Sequence, residues 1–240
     1  MCKLRFDGRM RLHIIRHGDP DYSIDSLTAK GHTEAKALAG FLSREKVNRL
    51  FSSPLGRARH TALYTAEALG LPIEIEDWTR EINELKVPAQ GLMAWDMPGS
   101  GIRAAAEGNS AVDWATHPDF SDIPYAEVQE KLAEASDAFL TRLGYQREGS
   151  IYRVMQRHEE TIALFCHGGF GLTWLAHLLA IPAPLVWSGF FLHPSSITTI
   201  LWDERSPGVA VPRCLWVGAL PHLAVAGIEP SPSGIKANYR

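Results

Sequence analysis

The chain is poor in cysteine: Cys2, Cys166 and Cys214 are the only three, far apart and without a Cys-x-x-Cys or zinc-type spacing. Neither a disulfide framework nor a structural zinc site is expected from them. Long apolar runs are missing as well. No stretch reaches the roughly 18 to 20 residues that cross a bilayer. The first seven residues hold no apolar core of a secretory signal. Charge of one sign is not in excess either: Lys and Arg total 24, Asp and Glu total 27, and the net charge is −3. This balance argues against nucleic-acid binding driven by overall positive charge, though a local basic pocket remains compatible with it. No His-Glu-x-x-His signature occurs, so no metal and no cofactor are expected. What remains is a reduced, cytoplasmic globule with no membrane or nucleic-acid partner. With 240 residues, 45% of them apolar, it has enough chain for one ordinary domain and its core.

Strand-like and helix-like segments alternate. Residues 11–15 are rich in β-formers and end at Arg16-His17-Gly18. Thr28 is placed to cap a helix whose apolar positions, Ala35, Leu38, Ala39 and Leu42, recur at helical spacing. Residues 50–53 read as a second strand stopped by Pro54, and residues 58–69 as a helix closed by Gly70 and Pro72. Residues 73–76 alternate like a third strand. The run Thr161-Ile-Ala-Leu-Phe-Cys166 is apolar throughout, as in a strand of a parallel sheet buried on both faces. A buried helix is expected over 171–179, an amphipathic helix over 125–142, and later strands over 196–202 and 213–217. Strand alternating with helix predicts a three-layer α/β/α sandwich with a mostly parallel central sheet. Residues 86–120 break this rhythm. They carry Met93, Trp95, Trp114 and Phe120, so they read as an insertion lying over the sheet and not as a linker. The tail around Pro230-Ser-Pro-Ser-Gly234 is expected to fray.

Two of the strands end in histidine followed by glycine, at His17-Gly18 and at His167-Gly168. In open α/β sheets that edge is where ligands bind. An imidazole nitrogen there can accept a phosphoryl group covalently. Arg16 supplies a fork of donors matched to phosphate oxygens. Gly18 is expected to let the backbone pass close to a bound anion. Arg57 falls in the first turn of the second helix, near the positive end of its dipole. Taken alone, Arg-His-Gly is a weak tripeptide that also describes an ordinary surface histidine. The convergence of two histidines and two arginines on one sheet edge makes it informative.

These motifs together resemble the histidine phosphatase superfamily, also called phosphoglycerate-mutase-like. The resemblance rests on Leu12-His-Ile-Ile-Arg16-His17-Gly18, Leu27-Thr-x-x-Gly31, Ser52-Ser-Pro-Leu-x-Arg57-Ala58 with Thr61-Ala62, and His167-Gly168, in the family's order. Ser195-Ser-Ile-Thr198 matches a common later segment. The resemblance implies one phosphoglycerate-mutase-like domain over residues 1–240, with an insertion at about 86–150 capping the active site. It implies a metal-independent phosphatase that hydrolyses a small phosphomonoester through a phosphohistidine on His17. Arg16 and Arg57 would grip the phosphoryl oxygens and His167 would bond the same group. Gly18, Ser23, Glu84 and Gly168 would complete the substrate contacts. A phosphoglycerate-type mutase and a weakly catalytic phosphate-ligand binder are the alternatives. As in many relatives, a monomer or homodimer is expected.

The general acid stays open. Arg80-Glu81-Ile82 fits the family register, Ile82-Asn83-Glu84 mimics it, and Asp19 is a third candidate; the family's Gly-x-Trp-Glu-Gly continuation is absent. Glu81 is preferred. Of the remaining histidines, His13, His32, His158, His177, His193 and His222 are expected to be structural, with a minor role open to His60. Tyr22, Trp95 and Trp114 are candidates for the wall of a substrate pocket, and Cys166 for a buried, inert thiol.

Overall fold

The structure, a computed structural model, describes residues 9–107 and 112–235. Cys2, the leading segment and the last five residues of the expected 1–240 domain lie outside the described residues. The central sheet is built from β1 (Arg11–Arg16), β2 (Val47–Ser52), β3 (Ile73–Ile75), β4 (Tyr145–Glu148), β5 (Ile151–Val154), β6 (Thr161–Cys166), β7 (Ile197–Ser206) and β8 (Val209–Ala219). Their order across the sheet is β3-β2-β6-β1-β7-β8-β5-β4. The pairs β3/β2, β2/β6 and β6/β1 are parallel, and the other four are antiparallel. Only β7 and β5 therefore run against the common direction, which gives the mostly parallel sheet that the alternation of elements predicts.

Period-2 alternation sorts the strand side chains into two cores. Leu12 and Ile14 of β1 and Ile162, Leu164 and Cys166 of β6 belong to one cluster, with Phe170, Trp174 and Phe139 packed on them. Ile15, Ala163 and Phe165 face the other way, against Leu38, Leu42 and Ala62. Burial on both faces explains why β6 reads as an unbroken apolar run. The first face is covered by α4 (Tyr125–Arg142), α5 (Gly168–Leu179) and α6 (Ala183–Trp187). The second is covered by α1 (Ala29–Leu42), α2 (Gly56–Leu69) and α7 (Pro221–Ala226). Thr28 caps α1 by accepting the Gly31 N–H at 3.1 Å, and Gly70 closes α2 at φ 65°, as their residue types predict.

Three features depart from the sequence reading. Residues 145–154 form a hairpin, with Gly149 at φ 64° in its turn, that extends the sheet beyond β8. The part of the 86–150 insertion that overlies the cavity is confined to its earlier residues: a short ribbon pairing Lys86–Val87 with Leu92–Met93, a turn at Ala94–Asp96, and the helix α3 (Gly99–Ala106). Val87, Ala94, Ile102, Trp114 and Phe120 anchor this segment in the first core, which is why it is no linker. The tail does not fray through residue 235. Ser231 is 2% exposed and donates its hydroxyl hydrogen to Asp19 Oδ1, while Lys30 Nζ donates to the Pro230 carbonyl at 3.2 Å. Proline, serine and glycine report low backbone preference, and here side-chain partners on another element override it. No helix among the described residues is long and apolar enough to cross a membrane.

Candidate active site

Register brings the candidate residues together. Arg16 of β1 pairs with Cys166 of β6 without a shift, so His17 and His167 leave the sheet side by side. The His17 N–H donates to the Cys166 carbonyl at 2.9 Å, and the Ser53 N–H to the Phe165 carbonyl at 2.8 Å. Three parallel strand ends thus carry His17, His167 and Ser53 to one edge. The two imidazole centroids are 5.3 Å apart with planes at 57°. Arg16, Arg57, Glu81 and Gly168 line a common cavity of about 910 Å³; His17 and His167 are buried next to this wall, beside Arg16 and Gly168 in the chain, and are not themselves among its lining residues.

His17 is 1% exposed. Its Nδ1 lies 2.7 Å from the Gly18 carbonyl, which can only accept, so Nδ1 carries the proton and Nε2 keeps its lone pair. Burial above all, then Arg16 and Arg57, hold the His17 pKa well below that of ordinary histidine, against the opposing pull of the Gly18 carbonyl. The ring is therefore neutral at pH 7. His167 is fully buried and is likewise held low, by burial first and then by His17, Arg57 and Arg16. Its Nε2 lies 2.8 Å from the Ser53 hydroxyl. Ser53 Oγ also accepts the Leu55 N–H at 3.3 Å, so its own hydrogen is free for Nε2. With the hydroxyl donating to Nε2, the ring proton sits on Nδ1, which has no hydrogen-bond partner among the described residues.

Each arginine is held in place. Arg16 Nη1 donates to the Leu192 carbonyl at 2.6 Å, and the guanidinium lies 5.8 Å from the Phe191 ring centre. Arg57 pairs with Asp25 at 2.5 Å and lies 5.4 Å from the Tyr22 ring centre. Asp25 also accepts the Gly56 N–H at 2.6 Å. The start of α2 is thus occupied by the protein's own carboxylate, and what faces the cavity there is the Arg57 side chain. The start of α5 is used in the same way. Glu81 accepts the Phe170 N–H at 2.7 Å and the Gly169 N–H at 3.2 Å. Burial raises the Glu81 pKa, and these N–H groups and Arg16 only partly offset it.

The other candidates separate. Glu84 is exposed and does not line the cavity. Asp19 accepts the Thr28 hydroxyl at 2.6 Å and the Ser231 hydroxyl, and stays outside the cavity. Ser23 is exposed and bonded to Asp21 at 2.5 Å, while its neighbour Tyr22 lines the wall. Gly18 serves packing: a Cβ there would lie 2.8 Å from the Gly31 carbonyl oxygen, and its N–H donates to Thr61 Oγ1 at 2.9 Å. This ties the Arg-His-Gly turn to the start of α1 and to α2, and explains the glycine and threonine of the intervening motifs. Trp95 lines the cavity, whereas Trp114 is buried in the core beside Phe120. His60 bonds Ser26 at 2.8 Å beside a separate cavity of about 300 Å³. Burial pushes the Cys166 thiol up, consistent with an inert side chain.

Sequence reasoning gave no role to Ser53, Asp25, Asn83, the loop around Phe190–His193 or the segment ending at Ile235, all at or near the cavity. Two adjacent phenylalanines in a loop before β7 were the available signal for a pocket wall. A single serine or aspartate in a loop carries none.

The chain is similar to known proteins in sequence and in fold. A family model described as histidine phosphatase superfamily, branch 1, matches residues 12–213. The glucosyl-3-phosphoglycerate phosphatase of Mycobacterium tuberculosis is 26% identical over 183 residues, covering 72% of this chain and 76% of that protein. The adenosylcobalamin/alpha-ribazole phosphatase of Salmonella typhi is 26% identical over 187 residues, covering 74% and 84%. The native structure of the mycobacterial glucosyl-3-phosphoglycerate phosphatase superposes with a TM-score of 0.59 at 25% identity, covering 88% of this chain and 99% of that one.

Proposed function

The chain belongs to the histidine phosphatase superfamily, and on that premise we propose that it is a metal-independent phosphatase acting on a phosphomonoester through a phosphohistidine at His17. The observation that carries the reading is the pair of neutral imidazoles 5.3 Å apart at adjacent strand ends, next in the chain to Arg16 and Gly168 of a cavity wall that also carries the Arg57 guanidinium. His17 Nε2 attacks phosphorus in line with the leaving oxygen. Arg16, Arg57 and the His167 Nδ1–H bond the equatorial oxygens, where phosphoryl transfer needs fixed positive charge more than covalent help. Glu81 gives its proton to the departing alcohol oxygen and takes one back from the water that hydrolyses the phosphohistidine. A carboxyl with a raised pKa suits the first of these steps. The same reading treats the chain as one catalytic domain, with the ribbon and α3 as its cap.

His17→Ala is expected to lower turnover of a generic phosphomonoester at least about a thousandfold. Phosphorus NMR of the wild-type enzyme quenched and denatured in alkali during turnover should show a phosphohistidine that the variant lacks. Wild-type turnover in the variant rejects the assignment. Formation of 2-phosphoglycerate from 3-phosphoglycerate with 2,3-bisphosphoglycerate would identify a mutase in its place.

A further inference from the structure

The two arginines of the cavity wall are anchored differently. Arg16 donates to a neutral group, the Leu192 carbonyl. Arg57 donates to a carboxylate: its Nη1 lies 2.5 Å from Asp25 Oδ1. Arg57 Nε is buried without a hydrogen-bond partner among the described residues, which leaves the Asp25 bond to fix the rotation of the guanidinium.

Asp25 is itself held against α2. A two-residue ribbon pairs Pro20–Asp21 with Ser26–Leu27 and turns the chain through Asp25. Asp25 sits at φ 47°, in the left-handed region that aspartate tolerates better than most residues. Its carbonyl oxygen lies against Gly56, where a Cβ would come within 2.1 Å of it. Its Oδ2 accepts the Gly56 N–H at 2.6 Å. Leu55, at the cap position of α2, has no side-chain acceptor, so a carboxylate from another segment does that work. The next residue, Ser26, bonds His60 of the same helix at 2.8 Å.

Resting on the phosphatase reading, we propose that Asp25 is a positioning residue that acts through Arg57. It presets the guanidinium for the equatorial oxygens, and its charge keeps the pocket from retaining phosphate. Arg57 bonds Asp25 through Nη1 while its side chain lines the cavity, so the Asp25 carboxylate and the phosphoryl group share one cation. A donor oriented before the reaction stabilises the transition state without reorganising. The like charge behind it weakens binding of the phosphate dianion.

The test compares Asp25→Asn and Asp25→Gly with wild type on p-nitrophenyl phosphate, alone and combined with Arg57→Ala. This ester departs without a proton, so the acid does not enter. Asparagine and glycine both accept the left-handed backbone. Asparagine replaces one carboxylate oxygen and not the other, because its NH2 only donates. Each single variant should lower kcat about fivefold, the loss of one partly exposed charge-assisted bond. In Asp25→Asn the Ki of inorganic phosphate should fall about threefold as the repulsion is removed. In Arg57→Ala, either substitution should cost less than about twofold further in kcat. Loss of the α2 cap lowers urea stability in both backgrounds and so cannot mimic this pattern. A kcat within twofold of wild type in both folded variants, a phosphate Ki that does not fall, or the same loss recurring without Arg57 overturns the proposal and leaves the phosphatase reading standing. If the wild-type chain hydrolyses no ester, the phosphatase reading falls. Calorimetric titration with inorganic phosphate then decides the role of Asp25: tighter binding by Asp25→Asn than by wild type sustains it, and equal or weaker binding overturns it.

Discussion

Replacing Ser53 with alanine isolates one hydrogen bond behind the reacting centre. The hydroxyl lies 2.8 Å from His167 Nε2, and both residues are fully buried. Removing it leaves Nε2 without a partner and lets the ring proton move from Nδ1 to Nε2. An unsatisfied buried polar group costs roughly 1–3 kcal/mol, and if that loss falls on the transition state, kcat drops roughly 5- to 150-fold. The phosphoryl group still meets Arg16 and Arg57, so KM should change less than about threefold. Steady-state kinetics on a phosphomonoester, with urea denaturation to verify folding, measures both. Ser53→Thr keeps the hydroxyl and should recover at least part of the lost kcat. A folded Ser53→Ala variant with kcat within twofold of wild type would refute the argument that Ser53 sets the tautomer.

Glu81→Gln should cost alkyl phosphates on the order of 100-fold or more in kcat, the range of general acid catalysis. It should cost p-nitrophenyl phosphate under about tenfold, because that leaving group departs without a proton; equal losses would remove Glu81 from the acid role. Glu34, fully buried on α1 and accepting the Asp19 N–H at 2.8 Å, has its pKa raised from 4.5 to about 7, chiefly by burial. Because the folded value is raised, the folded state gains from the bound proton below about pH 4.5 and loses that gain as pH rises through 7. Glu34→Gln should therefore gain stability over wild type, on the order of 3 kcal/mol, between about pH 4.5 and 7. A pH-independent difference in urea denaturation between pH 5 and 8 would count against it.

The fold was legible where burial writes itself into the pattern. β6 is apolar on successive residues because both of its faces are covered, β1 carries Leu12, Ile14 and Ile15 between its polar residues, and their ends mark His167 and His17. Arg57 was legible because a strand, a proline and a helix start precede it. Glu81 was separable from Glu84 only in three dimensions, since a 3-10 turn at Asn83–Leu85 sends the later carboxylate to solvent. The hairpin at 145–154 escaped because its strands are short and half polar, although Gly149 punctuates them. The roles of Ser53 and Asp25 escaped because each depends on one long-range partner that leaves no periodic trace. The ordered tail escaped for the same reason: the partner of Ser231 is Asp19, on the opposite side of the sequence.

The position of β1 in the sheet bears on how the protein is made. Its two neighbours are β6 and β7, and Arg11 pairs with Thr161, 161 − 11 = 150 residues later. At roughly 5–20 residues per second of synthesis, the β1 segment of a nascent chain waits roughly 8 to 30 s on the ribosome before its first neighbour exists. Throughout that interval a strand carrying Leu12, Ile14 and Ile15 is exposed on two faces and two edges, and pairing at such sequence separation is intrinsically slow. Yield on overexpression should therefore respond to temperature and chaperone supply during translation more than to the stability of the finished enzyme.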